Sequence, residues 1–497
     1  MTKILNIQGS PFAKLSAEEE KSYLREIFYK QQYYDSLVDL AEASASRFIL
    51  GQRGQGKSAT ILHLFDDVKL LNVMPILIDH YKGFPLQNNE NYFLFSMIQS
   101  LTFNIAKHLL EHPKDHKKLK TFQKEQIAFF IEAFYDPNSA EECIVCAKNI
   151  VSKKKWNKFY KFINKHLKLL NNLIGAGVKV GADLIKSNAG IDVDFSTIGG
   201  EYIQEFKLED FNHLEMNEVV KWETSKLINI LHNLRDVATE LGYKSIVIMF
   251  DKIDEVSDIN ADIEKVSGFM YDILTDNELL YTDGIAIVVS LWSEVKKALN
   301  RKGVRFDKFK EVDIRWRNDE LEMLLNKRLK YFSIDKNIEV SLYTLVPNKL
   351  DRDLILELSD HSPRSLLNLC GYILDEEYDK NDIEVFSSEA LSRGTNVYCK
   401  KFDYVSAQPS RTGKGQDLPT WITRLLRLKL TEFTLEQYSS FFNVKKTTTG
   451  ARHIETLVKY NLIKDTMFPT DNDEPLYEIA DPRIKYMIKR GIQSLDI

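Results

Sequence analysis

The eight residues Gly51-Gln52-Arg53-Gly54-Gln55-Gly56-Lys57-Ser58 constrain this chain more than any other stretch. They satisfy G-x-x-x-x-G-K-[ST] in full. They stand between a short apolar run, Phe48-Ile49-Leu50, and an amphipathic segment that begins Ala59-Thr60-Ile61-Leu62-His63-Leu64-Phe65. A buried strand, a glycine-rich turn and a helix in that order form a cradle for phosphate. The turn's N–H groups point inward, and the helix N-terminus adds its positive end. On this pattern Gly51, Gln52, Arg53, Gly54, Gln55, Gly56 and Ala59 supply the loop and the first helical turn. Lys57 reaches the β- and γ-phosphates, and the Ser58 hydroxyl binds Mg²⁺. The expected ligand is a nucleoside triphosphate.

A chain of 497 residues exceeds one ordinary core, and roughly three domains are expected. The formal charge of −5 excludes a protein that holds nucleic acid by net charge, so any basic site must be local. Four cysteines, Cys143, Cys146, Cys370 and Cys399, point to a reducing compartment and core thiols. Cys143-x-x-Cys146 has no second pair nearby to complete a zinc site. The N-terminus lacks the apolar run of a signal peptide. The most apolar later stretch, Leu169 to Leu184, is interrupted by Asn171, Asn172, Lys179 and Asp183. A cytoplasmic protein without membrane contact is the expectation.

Five segments follow from the pattern: an N-terminal helical segment (1–44), a P-loop core (45–316), a helical lid (317–403), a polar linker (404–417) and a winged-helix domain (418–497). The core carries a helical insertion at about 85–205. In the first segment Ser16 and Glu19 have capping-box spacing, and its location suggests that it positions the nucleotide base. Pro75 to Asp79 reads as a second buried strand. Within the insertion Trp156, Tyr160, Ile163, Leu167, Leu170 and Ile174 share one helix face, while Lys154, Lys158, Lys161, Lys165 and Lys168 share the opposite one. The region from Lys148 to Lys186 fits either a surface for DNA, RNA or an acidic partner, or a well-solvated helix face. Gly175 to Gly181 and Ile191 to Phe195 suggest a short hairpin or flap.

A helix over about Glu209 to Leu241 leads to Ser245-Ile246-Val247-Ile248-Met249-Phe250-Asp251, an apolar strand ending in an aspartate that orders Mg²⁺. The next position, where many ATPases carry an acid, is Lys252. Asp254 and Glu255 are therefore the candidate bases, and slow hydrolysis or pure switching remain alternatives. The strand Ile285 to Val289 ends at Ser290, which either senses the γ-phosphate or caps the next helix. Arg301 and Arg305 are candidates to act across a subunit interface, against a plain surface role. Arg364, in the first turn of the helix opened by Ser362-Pro363, opposes the helix dipole. Either nucleotide contact or an ion pair with an acid such as Asp360 accounts for it. Asn348-Lys349-Leu350-Asp351 fits a guanine-reading pattern, but Asp251-Lys252-Ile253-Asp254 lacks the glycine that would accompany it, so ATP is favoured over GTP.

Beyond the linker, helices at Trp421–Leu430, Thr434–Phe442 and Thr449–Tyr460 precede strands at Asn461–Lys464 and Pro475–Ile479, a winged-helix order. As a DNA reader it would present Lys445, Lys446, Arg452 and His453, while Asp471, Asp473 and Glu474 at the wing tip oppose phosphate. Protein docking is the alternative.

These motifs together resemble prokaryotic P-loop ATPases of the AAA+/STAND group. The layout is similar to origin-recognition ATPases and to ATPases of bacterial antiviral defence systems. The resemblance implies an α/β P-loop NTPase core with a parallel sheet, a helical lid and a C-terminal winged helix, with ATP and Mg²⁺ as cofactors. Carried over by match, Gly51, Gly56, Lys57 and Ser58 bind phosphate and metal, Asp251 serves the metal, Ser290 resembles sensor 1 and Arg364 resembles sensor 2. The expected activity is that of a slow switch ATPase which couples nucleotide state to homo-oligomer assembly, to an effector protein, or to nucleic acid. A DNA-loading ATPase and an ATP-dependent scaffold are the alternatives.

Overall fold

The computed structural model describes residues 6–120 and 220–496, apart from 257, 260–261, 310, 378–383, 408–416 and 470–473, together with a few positions between 122 and 130. The lysine-rich face, the Gly175–Phe195 stretch, the Cys143/Cys146 pair, Asp471 and Asp473 lie outside the described residues.

Four runs rich in β-branched and apolar residues, β1 (Arg47–Leu50), β2 (Val73–Ile78), β3 (Ser245–Phe250) and β4 (Ile285–Leu291), form the central sheet with a short edge strand, β5 (Glu311–Asp313). Their order is β2-β3-β4-β1-β5 and every pairing is parallel. Every residue of β3 and β4 is buried, because helices cover both faces of a parallel sheet. Register sets Ile78 beside Phe250, Phe250 beside Val289, and Ile49 beside Ser290. The carboxyl ends of four strands therefore finish along one edge. Gly51, Asp79, Asp251 and Ser290 gather there, where ligands of open α/β sheets bind.

One face is covered by the helices Glu90–Glu111 and Thr224–Glu240, through Phe93, Leu101, Leu227, Leu231 and Leu234. The other is covered by the helices Tyr34–Glu42 and Lys57–Lys69. Its core runs on from Ile61 and Leu64 through Leu325, Leu366 and Tyr398 of the lid to Leu425 and Ile484 of the winged helix. Lid and winged helix are thus parts of the same packed body. In the lid, Gly394 lets the helix Ser388–Lys401 approach Pro363–Asp375 closely: a Cβ there would lie 2.6 Å from Ile373 Cα.

The N-terminal segment differs from expectation. Ser16 Oγ accepts from Glu19 N and donates to Glu19 Oε2, in place of the backbone contact of a capping box; a series of turns follows, and helix forms only at Leu24–Ile27 and Tyr34–Glu42. Residues 6–33 run as a strap across the carboxyl edge of the sheet. Backbone bonds to the lid hold its start: in the bridge between Ile7 and Ser333, Gln8 N donates to Phe332 O at 2.8 Å and Ile334 N donates to Asn6 O at 2.9 Å. In the C-terminal domain the helices Leu418–Leu428, Leu435–Phe441 and Ala451–Lys459 pack on an antiparallel sheet of β6 (Glu432–Thr434), β7 (Ile463–Asp465) and β8 (Leu476–Ile479), ordered β6-β8-β7. This is the winged-helix arrangement. Strand β6, at three residues, gives no periodic signal in sequence. The linker begins as a short helix, Tyr404–Ala407.

Candidate nucleotide site

The loop after β1 needs glycine at two places, since Gly54 and Gly56 have φ values of 81° and 93°, where other residues are strained. Lys57 opens the following helix and is buried, its Nζ donating to Gly51 O and Gln52 O at 3.1 Å each. Burial lowers its pKa, opposed by the charges of Asp254, Asp251 and Glu294. Gln55 Oε1 accepts from Gln52 N at 2.6 Å, and Trp316 Nε1 donates to Gln55 O at 2.9 Å. The loop is therefore braced from within and from the start of the lid.

Asp251, at the end of β3, is 4% exposed and accepts a hydrogen bond from Ser290 Oγ. Ser290 does not cap the next helix. Its hydroxyl turns to Asp251, and the helix Ser293–Arg301 has no side-chain cap. Tyr81 OH donates to both Ile78 O and Asp251 O, at 2.8 and 2.9 Å, which holds the strand end. Asp254 and Glu255 follow in a single tight turn, Ile253–Glu255, and both line the cleft. Burial and the neighbouring Asp254 charge raise the pKa of Glu255. Lys252 Nζ lies 2.9 Å from Glu18 Oε1 and 3.4 Å from Asp79 Oδ2. Burial opposes its charge, but the two carboxylates outweigh burial and raise its pKa.

The cleft holds about 410 Å³. Part of its lining is polar, including Arg53, Gly54, Gly56, Lys57, Ser58, Asp251, Asp254 and Glu255, and part is apolar, including Leu24, Ile27, Phe28 and Tyr29, with Glu20 and Arg328 also on the wall. A triphosphate and a base have these same two characters. Gln52 and Gln55 do not line it. They face a second cleft, of about 530 Å³, shared with Trp292, Asp360 and Arg483, and Gly51 is buried beneath the loop. Ser290 reaches the site only through Asp251. Asp251 and Ser58 both line the cleft, and a carboxylate with a hydroxyl is an oxygen donor set that suits Mg²⁺ completed by phosphate oxygens and water. Among the described residues no group of three His, Cys, Asp or Glu side chains gathers to hold a metal unaided.

The lid closes the cleft from above. Gly54 O accepts from Arg364 N and from Ser362 Oγ, both at 3.3 Å, so the first turn of the helix Pro363–Asp375 rests on the loop. Arg364 lines the cleft, and its Nε donates to Leu15 O of the strap at 3.2 Å. Asp360 is not its partner. That carboxylate bonds Arg483 of the winged helix at 2.8 Å, and Arg483 also pairs with Asp481 at 2.6 Å. The intervening Asp360 and His361 both take left-handed φ, 51° and 57°, and His361 Nδ1 bonds Trp316 O at 2.8 Å.

Two features escape a sequence reading. Arg328, on the lid helix Asn318–Phe332, is 3% exposed and binds Glu20 and Pro11 O of the strap. Its signal is an arginine on the same stripe as the buried Leu321, Leu325 and Leu329. The pairing of Asp360 with Arg483 has no local signal. Asn348 caps the helix Lys349–Leu358 by accepting from Leu350 N, and neither it nor Asp351 lines the cleft. Arg301 and Arg305 are exposed and pair with Glu264 and Asp307, at 2.7 and 2.6 Å. In the winged helix, His453 turns inward against Trp421 and Tyr438, and Lys446 is held by Glu436 and Glu474. Arg452 and Lys459 stay exposed. Cys370 and Cys399 are buried free thiols, the former's pKa pushed up to about 12 by burial.

No protein-family model matches the sequence, and no curated protein sequence matches it. Similar solved structures include ORC2 of Aeropyrum pernix in ADPNP–ADP complexes, at 10% identity and TM-score 0.42, covering 99% of this chain and 97% of that one. ORC1 of Aeropyrum pernix in complex with DNA has 11% identity and TM-score 0.37, covering 95% of each. Cdc6p from Pyrobaculum aerophilum has 10% identity and TM-score 0.31, covering 97% and 98%. At this identity and superposition the likeness is one of general layout only. No helix among the described residues is long and apolar enough to cross a membrane.

Proposed function

We propose that this chain is an ATP-driven switch, a slow ATPase whose bound nucleotide sets the position of the lid and winged helix. One observation carries the reading: Gly54 O of the phosphate loop receives Ser362 and Arg364, while Asp360, two residues before Ser362, is tied to Arg483 of the winged helix. A shift of the loop on binding phosphate therefore moves a helix already joined to the C-terminal domain. Such closure requires contacts that differ between the two states.

In this reading Lys57 leaves the loop carbonyls for the phosphates, and the loop N–H groups hold the phosphate chain. Ser58 and Asp251 would hold Mg²⁺, which when bound would neutralise charge on the transferring phosphoryl group. Ser290 fixes the Asp251 carboxylate. Glu255 is the favoured base, because a carboxyl with a raised pKa accepts a proton more readily, and Asp254 tunes it. Leu24, Ile27, Phe28 and Tyr29 enclose the base. Arg364 contacts the phosphates from the lid.

The switch output is self-assembly or a partner, and in a defence setting the effector chemistry would come from that partner. A second reading, a DNA-loading ATPase, is favoured by the winged-helix domain with Arg452 and Lys459 exposed on its third helix. Mass and duplex DNA affinity, measured with ATP, with ADP and without nucleotide, test both. A mass change only with ATP supports the switch. DNA binding that falls steeply with salt supports the loader. Identical mass in all three conditions would refute the switch, and the absence of salt-sensitive DNA binding in all of them would refute the loader.

A further inference from the structure

Lys252 directly follows Asp251, and its backbone lies in the left-handed region, with φ 59° and ψ 26°. Glycine adopts that conformation freely and lysine does so under strain, so a lysine here calls for a use of its side chain. The turn links β3 to the short helix Ile253–Glu255 and aims the ammonium at two carboxylates from other elements: Glu18 of the strap, 2.9 Å away, and Asp79 just past β2, 3.4 Å away. With 22% of its side chain exposed, Lys252 lines the same cleft as Lys57, Ser58, Asp251 and Arg364. Two carboxylates thus share one cation in a cleft that the phosphate loop also lines. The strap is held again only two residues on, where Glu20 pairs with Arg328 of the lid.

Resting on the nucleotide reading above, we propose that Lys252 distinguishes a triphosphate from a diphosphate: the γ-phosphate draws its ammonium from Glu18 and Asp79 and so releases the strap at Glu18. A diphosphate ends short of Lys252 and leaves the Glu18 pair closed. Two negative groups then compete for one cation, and the strap moves at Glu18 while Glu20 keeps it joined to the lid.

Affinities for ATP and ADP are measured on the full chain by titration, for wild type, Lys252→Gly and Glu18→Gln, with the melting temperature of each protein taken without nucleotide. Glycine relieves the backbone strain of the left-handed turn, and a melting temperature close to that of wild type shows that the variant keeps its fold. The expected result for Lys252→Gly is ATP binding weakened about 10- to 100-fold, the range of a lost hydrogen bond to a charged group, with ADP changed less than about threefold. Glu18→Gln removes a competitor and tightens ATP several-fold without changing ADP. An ATP-to-ADP ratio in Lys252→Gly equal to that of wild type overturns the proposal while leaving nucleotide binding in place. A wild type that binds neither nucleotide overturns the underlying reading as well.

Discussion

Substitution of Gly54 by alanine tests the contact between loop and lid. At φ 81° a Cβ costs about 1–2 kcal/mol of backbone strain. It would also stand 2.7 Å from Ser362 Oγ, a contact that forces a shift, and 3.2 Å from Arg364 Cβ, a tight one, so the first turn of the lid helix is pushed back. Retreat breaks the two hydrogen bonds that Gly54 O accepts, at about 1 kcal/mol each. If nucleotide binds only with lid and loop in contact, the total of about 3–4 kcal/mol appears as a loss of ATP affinity of roughly 150- to 900-fold. A double-mutant cycle with Ser362→Ala, read by ATP titration, isolates the contact. Ser362→Ala alone loses the helix cap, about 1 kcal/mol, but clears the space into which the new methyl points. The double variant is therefore expected to bind ATP at least about 1 kcal/mol better than the two single losses summed. Additivity within about 0.3 kcal/mol would show that loop and lid are not coupled there, and the transmission argument would fail.

Arg483→Met leaves the Asp481 carboxylate buried without its cation and is expected to cost about 3–5 kcal/mol in denaturant unfolding, most of it from Asp481 because Asp360 is nearly half exposed. An unchanged midpoint would show that the cluster does not join lid to winged helix. Ser290→Ala frees the Asp251 carboxylate and should lower ATP turnover about 10- to 100-fold with affinity changed less than about threefold; equal loss of both would assign Ser290 to binding. His63, under the strap, has its pKa held below 6.5 by burial, with Asp67 pulling it the other way. A depressed folded-state pKa gives stability that is present above about 6.5 and lost as the pH falls through the lower folded value. The melting temperature of wild type should therefore fall more steeply between about pH 7.5 and 5 than that of His63→Gln, and parallel curves would contradict the assignment.

The core was readable because buried parallel strands leave long apolar runs, as at Ile246–Phe250 and Ile285–Val289, and because the phosphate loop demands its glycines at fixed spacing. The winged helix was readable from helix and strand order, except for β6, whose last residue, Thr434, is also the cap that opens the helix Leu435–Phe441. The strap was not. Its residues have the local pattern of a helix, but Ile7 bridges Ser333 and Arg328 binds Glu20, pairings more than 300 residues apart in sequence that outweigh local propensity. Which loop residues face the cleft was also hidden: the motif treats Gln52, Gln55 and Arg53 alike, and only the turn at Gly54 sends the two glutamines to the far side. The partners of Asp360 and Ser290 depend on how lid, winged helix and β4 dock. No window of sequence contains that.

Steady-state ATP turnover by wild type beside Lys57→Ala and Asp251→Asn is the most direct test of the central claim. The cleft is expected to hydrolyse ATP slowly in wild type, to bind none in Lys57→Ala, and to bind without turnover in Asp251→Asn. Turnover that survives in either variant would place the reaction outside this cleft and contradict the account.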